Sequence, residues 1–176
     1  MGSEPEDQAV NPAGKTRLRQ TLGTFATGVT VITALHQPSK RPVGITINSF
    51  SSVSLQPPMV LWSIRRDSPS RTAFDVGAMH VIHVLREDQA DVAQRFARSG
   101  ENKFQGLAVT EDPHTGVSLL QDWAALIKCR TGSMISAGDH DIVLADVLDY
   151  DHTDATPLIF VQGRFGAPAM ALSNSG

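Results

Sequence analysis

The sequence predicts a mainly β domain with a few helices, and three observations carry that expectation. At least six short segments are rich in β-branched and other apolar residues and are separated by turn residues. Helical periodicity is confined to a few short stretches that do not alternate with the strands, which disfavours a doubly wound parallel sheet. Short turns at Ala137-Gly138-Asp139 and Asp154-Ala155-Thr156-Pro157 favour antiparallel hairpins. Together they describe an antiparallel barrel with helices packed outside it.

Each element follows in order. A helix is expected over about Thr16 to Phe25, with Leu18, Leu22 and Phe25 on one face. After Gly28 a strand runs from Val29 to Ala34, and Gln37 to Pro42 reads as a turn before a second strand, Val43 to Ile47. Met59 to Ile64 is nearly all apolar and follows Pro57-Pro58, the pattern of a strand buried on both faces. Ser70 to Val76 fits a short helix with Ser70 near its N-cap. Val81 to Leu85 is another strand. Asp88 is placed to cap a helix through Ala97, with Val92, Ala93 and Phe96 inward. Three more strands are expected at roughly Ala124 to Met134, Asp141 to Tyr150 and Leu158 to Arg164.

The 176 residues suit one domain, placed at residues 16–168, with tails at 1–15 and 169–176 that read as disordered. A net charge of −3 argues against a nucleic-acid partner. The polar N-terminus lacks the apolar core of a secretory signal, and no apolar run reaches the ~20 residues of a membrane span. The single cysteine, Cys129, precludes an intramolecular disulfide, and a cytoplasmic location is the simplest expectation.

Several motifs fail. Gly14-Lys15-Thr16 resembles the end of a phosphate-binding loop, but Ala9 stands where that loop needs glycine. No Gly-x-Gly-x-x-Gly follows a strand, and no Gly-x-Ser-x-Gly elbow exists. His80 and His83 point to opposite faces of one strand, so they are expected as one exposed and one hydrogen-bonded interior residue, not metal ligands. Asp139-His140-Asp141 are consecutive in a turn and do not converge on a metal; no metal site is expected. Cys129, flanked by apolar neighbours, is expected as a small core residue.

Three stretches carry chemistry. In Pro42 to Ser54 a strand leads into a run of hydroxyls and an amide with few charges. Such groups wrap a polar ligand through neutral hydrogen bonds, or simply form a Ser-rich turn. Ser63-Ile64-Arg65-Arg66-Asp67-Ser68-Pro69-Ser70-Arg71 joins a strand end to a helix start, either an anion site or a solvated basic loop. Glu101-Asn102-Lys103-Phe104 sets a cation beside an aromatic after a helix.

These segments, with Phe25-Ala26-Thr27-Gly28-Val29-Thr30, Pro57-Pro58-Met59, Arg95-Phe96-Ala97, Lys103-Phe104-Gln105-Gly106, Gly138-Asp139-His140 and Gly163-Arg164-Phe165 in order, resemble the flavin reductase family. These are the small reductase components of two-component flavin monooxygenases. The resemblance implies a split β-barrel of the FMN-binding type and a homodimer with flavin near the subunit interface. It implies FMN or FAD as flavin, NADH or NADPH as electron donor, and a separate oxygenase that receives the reduced flavin. By position, Val43, Gly44, Ile45, Thr46, Asn48 and Ser49 would line the isoalloxazine and ribityl chain. Ser63, Ile64, Arg65 and Ser70 would hold the ribityl and phosphate end. Lys103 and Phe104 would close over the flavin, and His140 would face the nicotinamide. Hydride transfer needs no covalent catalyst, so no residue is given that role.

Two departures stand out: the family's usual asparagine is His83 here, and its glutamate before the cysteine is Lys128. The first would alter a contact near the flavin or the dimer edge, and the second the local charge. The competing readings are a flavin-binding carrier or sensor of the same fold, a pyridoxine-phosphate-oxidase-like enzyme, whose motifs are not found, and a structural barrel.

Overall fold

The computed structural model describes residues 12–37, 39–100 and 102–169. Most of both expected tails, together with Pro38 and Glu101, therefore lies outside the described residues. The first element is a helix, α1 (Pro12–Leu22). Two strands follow, β1 (Thr27–Gly28) and β2 (Thr30–His36), then β3 (Arg41–Ile47), β4 (Ser51–Leu55) and β5 (Pro58–Arg65). A single 3-10 turn (Arg71–Phe74) precedes β6 (Met79–Val84) and the second helix, α2 (Ala90–Ala97). The rest is β7 (Val109–Glu111), β8 (Ser118–Leu120), β9 (Ala125–Ala137), β10 (His140–His152), β11 (Ile159–Val161) and β12 (Arg164–Gly166).

The expected mainly β, antiparallel class is what the chain adopts. One seven-stranded antiparallel sheet has the order β3-β2-β6-β9-β10-β5-β4, with β3 and β4 as its outer strands. Smaller sheets are β1-β11-β12 and β7-β8. The large sheet curls, because one core cluster draws Ile32 from β2, Val43 from β3, Trp62 from β5 and Val143 from β10. Trp62 meets Phe74 edge-on with ring centroids 5.0 Å apart, locking the 3-10 turn against the sheet. A second cluster fills the other face of β2: Val29, Val31, Leu85, Leu120 and Leu158 with Ala93 and Phe96 of α2.

Several local expectations are corrected. Double-sided burial belongs to β2, whose Thr30 to Ala34 are all buried. In β5 only Val60, Trp62 and Ile64 are fully buried, and the alternate residues between them are half-covered. The Ser-rich run contains an edge strand, β4. The Leu158–Arg164 segment is two short strands about a Gln162-Gly163 turn, where both residues take positive φ. The Asp154–Pro157 turn is no hairpin, since β10 pairs with β5 and β9 while β11 pairs with β1 and β12. α1 begins earlier than expected, and its Leu18 and Leu22, with Phe25 beyond it, stay exposed. Asp88 does not cap α2. Its carboxylate pairs with Arg86 at 2.6 Å, and Gln89 holds the N-cap position.

Both histidines of β6 are buried, so neither is the exposed one. They do point to opposite faces. His80 packs on Trp62 and Phe74. His83 accepts a bond from the Leu120 amide on Nε2 at 3.1 Å, so its proton sits on Nδ1, 3.2 Å from the Val31 carbonyl. It staples β6 to β2 and β8 inside the second core and touches neither an edge nor a cleft. Burial pushes both imidazoles down to about 4. Lys128 is likewise structural. It reaches Asp112 at 2.9 Å and Asp149 at 3.1 Å. Cys129 is fully buried, and burial pushes its thiol up to about 12, which makes it inert near neutral pH.

Candidate functional site

The site forms where β3 turns outward past α2. Along β3, alternate residues face opposite ways. Val43, Ile45 and Ile47 pack toward the first core cluster, while Gly44 and Thr46 face α2. Gly44 leaves no room for a side chain unless its neighbour moves. A Cβ on it would run into the Phe96 ring, with Cδ1 at 2.6 Å. The Thr46 hydroxyl donates to the Ala93 carbonyl at 2.7 Å, so it offers only acceptor lone pairs to a ligand.

These contacts leave a cleft of about 370 Å³ between β3, β5 and the end of α2. It is lined by Ile45, Thr46, Asn48, Ser49, Ser63, Ile64, Arg65, Ser70, Lys103 and His140. An adjoining hollow of about 160 Å³ is lined by Val43, Gly44 and Phe104, sharing Ser70 and Lys103 with the cleft. The structure thus gathers every site residue expected from the sequence, from segments up to a hundred residues apart, along one continuous depression.

The sheet sets the far wall. β10 pairs with β5 so that His140 lies opposite Arg65 and Ile142 opposite Ser63. The Ser63 amide donates to the Ser49 hydroxyl at 2.9 Å, closing the corner after β3. Asp141 is buried beside His140 and binds Arg71 Nε at 2.7 Å and the Ser136 hydroxyl at 2.9 Å. The Arg71 and Ser136 bonds hold its carboxyl below the usual range. That pair ties the turn after Ser70 to the His140 strand.

The cations differ in availability. Arg65 is clamped by Asp67 through two bonds of 2.9 and 2.7 Å, which raise the guanidinium pKa further. Lys103 donates to the Gly44 carbonyl at 3.0 Å and the Phe96 carbonyl at 3.1 Å, and burial lowers its pKa. It therefore caps the end of α2 with its side chain. His140 Nδ1 lies 2.7 Å from Asp139 Oδ1, and that hydrogen bond lowers the Asp139 pKa. The other ring nitrogen, Nε2, is left for a ligand.

The expected helix N-terminus after Ser70 is a single 3-10 turn without a side-chain cap, too short for a useful dipole. What the sequence reading did not assign to the site is the opposite wall: Phe96, Ala97, Arg98, Ser99 and Gly100. Its signal was present in the amphipathic pattern of α2, whose C-terminal end had to lie beside whatever Phe96 covers. No described helix is long and apolar enough to cross a membrane. Among the described residues no group of three or more His, Cys, Asp or Glu is arranged to hold a metal.

A hydroxyl and amide rim, apolar walls from Ile45, Ile47 and Phe96, and cations at the margins suit a flat heterocycle carrying a polar, anionic tail. Comparisons with known proteins agree. The family model for the flavin reductase like domain matches residues 22–169. FMN reductase (NADH) SmoA of Agrobacterium fabrum is 40% identical over 164 residues, covering 92% of both chains. The reductase component of a 4-nitrophenol 4-monooxygenase/4-nitrocatechol 2-monooxygenase of Rhodococcus opacus is 34% identical, covering 94% of this chain and 88% of that protein. A Streptomyces globisporus NADH:FAD oxidoreductase, solved in complex with NAD and FAD fragments, superposes with a TM-score of 0.81 at 30% identity, covering 90% of this chain and 94% of that one. The fold, the cleft and these likenesses converge: the chain belongs to the flavin reductase like family.

Proposed function

We propose that this protein reduces FMN or FAD with NADH or NADPH and passes the reduced flavin to a separate monooxygenase. The observation that carries the reading is the convergence of β3, β5, Lys103 and His140 on one cleft. A flavin held in this cleft would supply the redox chemistry, accepting a hydride from the reduced nicotinamide.

The chain's own residues bind and orient. The Asn48 amide and the Ser49 and Ser63 hydroxyls meet the polar edge of the ring and the ribityl chain. Thr46 accepts a hydrogen bond, its own proton being held by Ala93. Ile45 and Phe96 exclude water from one ring face. Ser70 and Arg65 serve the phosphate end, and Lys103 with Phe104 closes the margin. Asp139 accepts from His140 Nδ1–H, leaving Nε2 to accept from the nicotinamide carboxamide. Holding donor and acceptor rings in register supplies several kcal/mol of barrier reduction. No residue forms a covalent intermediate.

The same reading takes residues 16–168 as one split-barrel domain that works as a cytoplasmic homodimer. The curled sheet and the exposed Phe25 and Leu55, 77% and 92% accessible, support a second copy packing on this one. Scattering-coupled gel filtration gives twice the chain mass if so.

Mixing the purified protein with NADH and FMN tests the activity. Flavin-dependent loss of reduced nicotinamide is expected. Flavin binding without any such loss would favour a carrier or sensor instead.

A further inference from the structure

We infer that Arg71 and Asp141 are positioning residues for both substrates, one ion pair holding the turn Ser68-Pro69-Ser70 and His140 at a fixed separation across the cleft. This rests on the flavin reductase reading of the cleft. Neither Arg71 nor Asp141 lines the cleft, whereas their chain neighbours Ser70 and His140 both do. Successive residues of a strand face opposite ways, so His140 turns to the cleft and Asp141 to the other side of β10. There Asp141 is 2% exposed. One of its carboxylate oxygens accepts from Arg71 Nε at 2.7 Å, and the other from the Ser136 hydroxyl at 2.9 Å. Ser136 is its partner across the β9–β10 ladder, so these bonds pin the end of the hairpin that carries His140.

Arg71 is committed in turn. Its Nη1 donates to Asp75 at 2.8 Å, so the guanidinium faces two carboxylates and is turned away from the cleft. Held at two points of one rigid plane, it cannot rotate freely, and an ammonium would not reproduce that hold. The Arg71 amide donates to the Ser68 carbonyl at 3.0 Å, which fixes the turn to the guanidinium's own backbone. The far end of the 3-10 turn is anchored separately, where Phe74 meets Trp62. Nearby, the backbone joins the two walls through the Arg66 amide and the Asp139 carbonyl at 3.0 Å, but that bond lies before the turn begins. Between Arg66 and Phe74, the side-chain link from Arg71 to Asp141 is what ties Ser68 to Ser70 to β10. A carboxylate this buried keeps its charge only with its cation in place, so loss of either partner loosens both walls.

Riboflavin is FMN without the phosphate, so it makes no use of the turn and serves as the internal reference. Fluorescence titrations with both flavins, and initial rates at saturating FMN, test Arg71→Met, Arg71→Lys, Asp141→Asn and Ser136→Ala, each with a thermal melt. In Arg71→Met and Asp141→Asn the Kd for FMN is expected to rise about tenfold relative to that for riboflavin. KM for NADH should rise by a similar factor, with kcat within about twofold of the wild type. Arg71→Lys, which keeps the charge but not the fork, should recover part of both effects. Ser136→Ala removes a single hydroxyl and should move both by about threefold, which keeps the test open if the charge variants do not fold. Equal weakening of FMN and riboflavin would make the pair a purely structural tie and overturn the inference. So would wild-type values in all variants, or a change confined to one of the two substrates. A wild type that binds neither flavin would instead sink the reading of the cleft, a result seen without any variant.

Discussion

The ammonium of Lys103 donates to the carbonyl oxygen of Gly44 at 3.0 Å, joining the segment after α2 to the middle of β3. Gly44 is also where the Phe96 ring lies against bare backbone. One residue pair therefore sets how far α2 stands from the strand, and with it the width of the cleft.

Lys103→Met removes the bonds to Gly44 and Phe96 and leaves both carbonyls short of a partner. The expected loss is about 1–3 kcal/mol, or several degrees in Tm for a chain of this size. Flavin affinity should fall about tenfold as the margin loosens. A thermal melt and a flavin fluorescence titration of the same sample read both.

Gly44→Ala forces the buried Phe96 ring to move, because the new methyl overlaps it. Overpacking of this kind costs about 1–3 kcal/mol. Adding Phe96→Leu should recover part of that loss, since the two changes share one contact. Chemical denaturation of both single variants and the double variant measures the coupling. Strictly additive losses would contradict the contact.

His80 and His83 give stability a pH dependence of known sign. Both sit near 4 when folded, below the ordinary value of 6.5, so the unfolded chain binds more protons between those limits. Their stabilisation is complete above about 6.5 and is lost as pH falls toward 4, roughly 3 kcal/mol per residue at the bottom of the range. His83→Asn should make the slope of unfolding free energy against pH shallower in that window. An unchanged slope would mean that His83 titrates normally.

Lys128 and Asp112 form the reciprocal case. Burial alone would raise the Asp112 carboxyl, but bonds from Lys128 and Thr115 outweigh it and bring the carboxyl down to about 2. This stabilisation is present above the ordinary value of 3.8 and is lost as pH falls toward 2. Lys128→Met leaves a carboxylate that is 1% exposed without its cation, costing roughly 2–4 kcal/mol. Lys128→Glu, the residue usual in the family, should cost more, with Asp112 and Asp149 both facing it. Urea midpoints at neutral pH rank the three proteins.

The sequence made the site more legible than the scaffold around it. The rim of β3 could be read because hydroxyls and an amide directly follow an apolar strand, and because the ordered motifs fix their neighbours. The α2 wall was not legible as site, since Arg98, Ser99 and Gly100 owe their place to Phe96 packing on Gly44, a contact spanning about fifty residues. Similarly, His83 was expected to alter a contact near the flavin or the dimer edge and Lys128 the local charge, yet each is a core or interstrand tie whose partners, Leu120 and Asp112, no local pattern links to them. The β5 strand misled because an apolar run does not say how many layers cover it. Asp88 misled because an adjacent arginine took the carboxylate the helix start would have used.

The most direct test is a crystal structure with FMN bound. The account predicts an isoalloxazine between the Ile45–Ser49 rim and the Phe96 wall, its phosphate toward Ser70 and Arg65, and one ring face open toward His140. Flavin seated elsewhere, or a cleft closed by the chain's own side chains at saturating FMN, would contradict it.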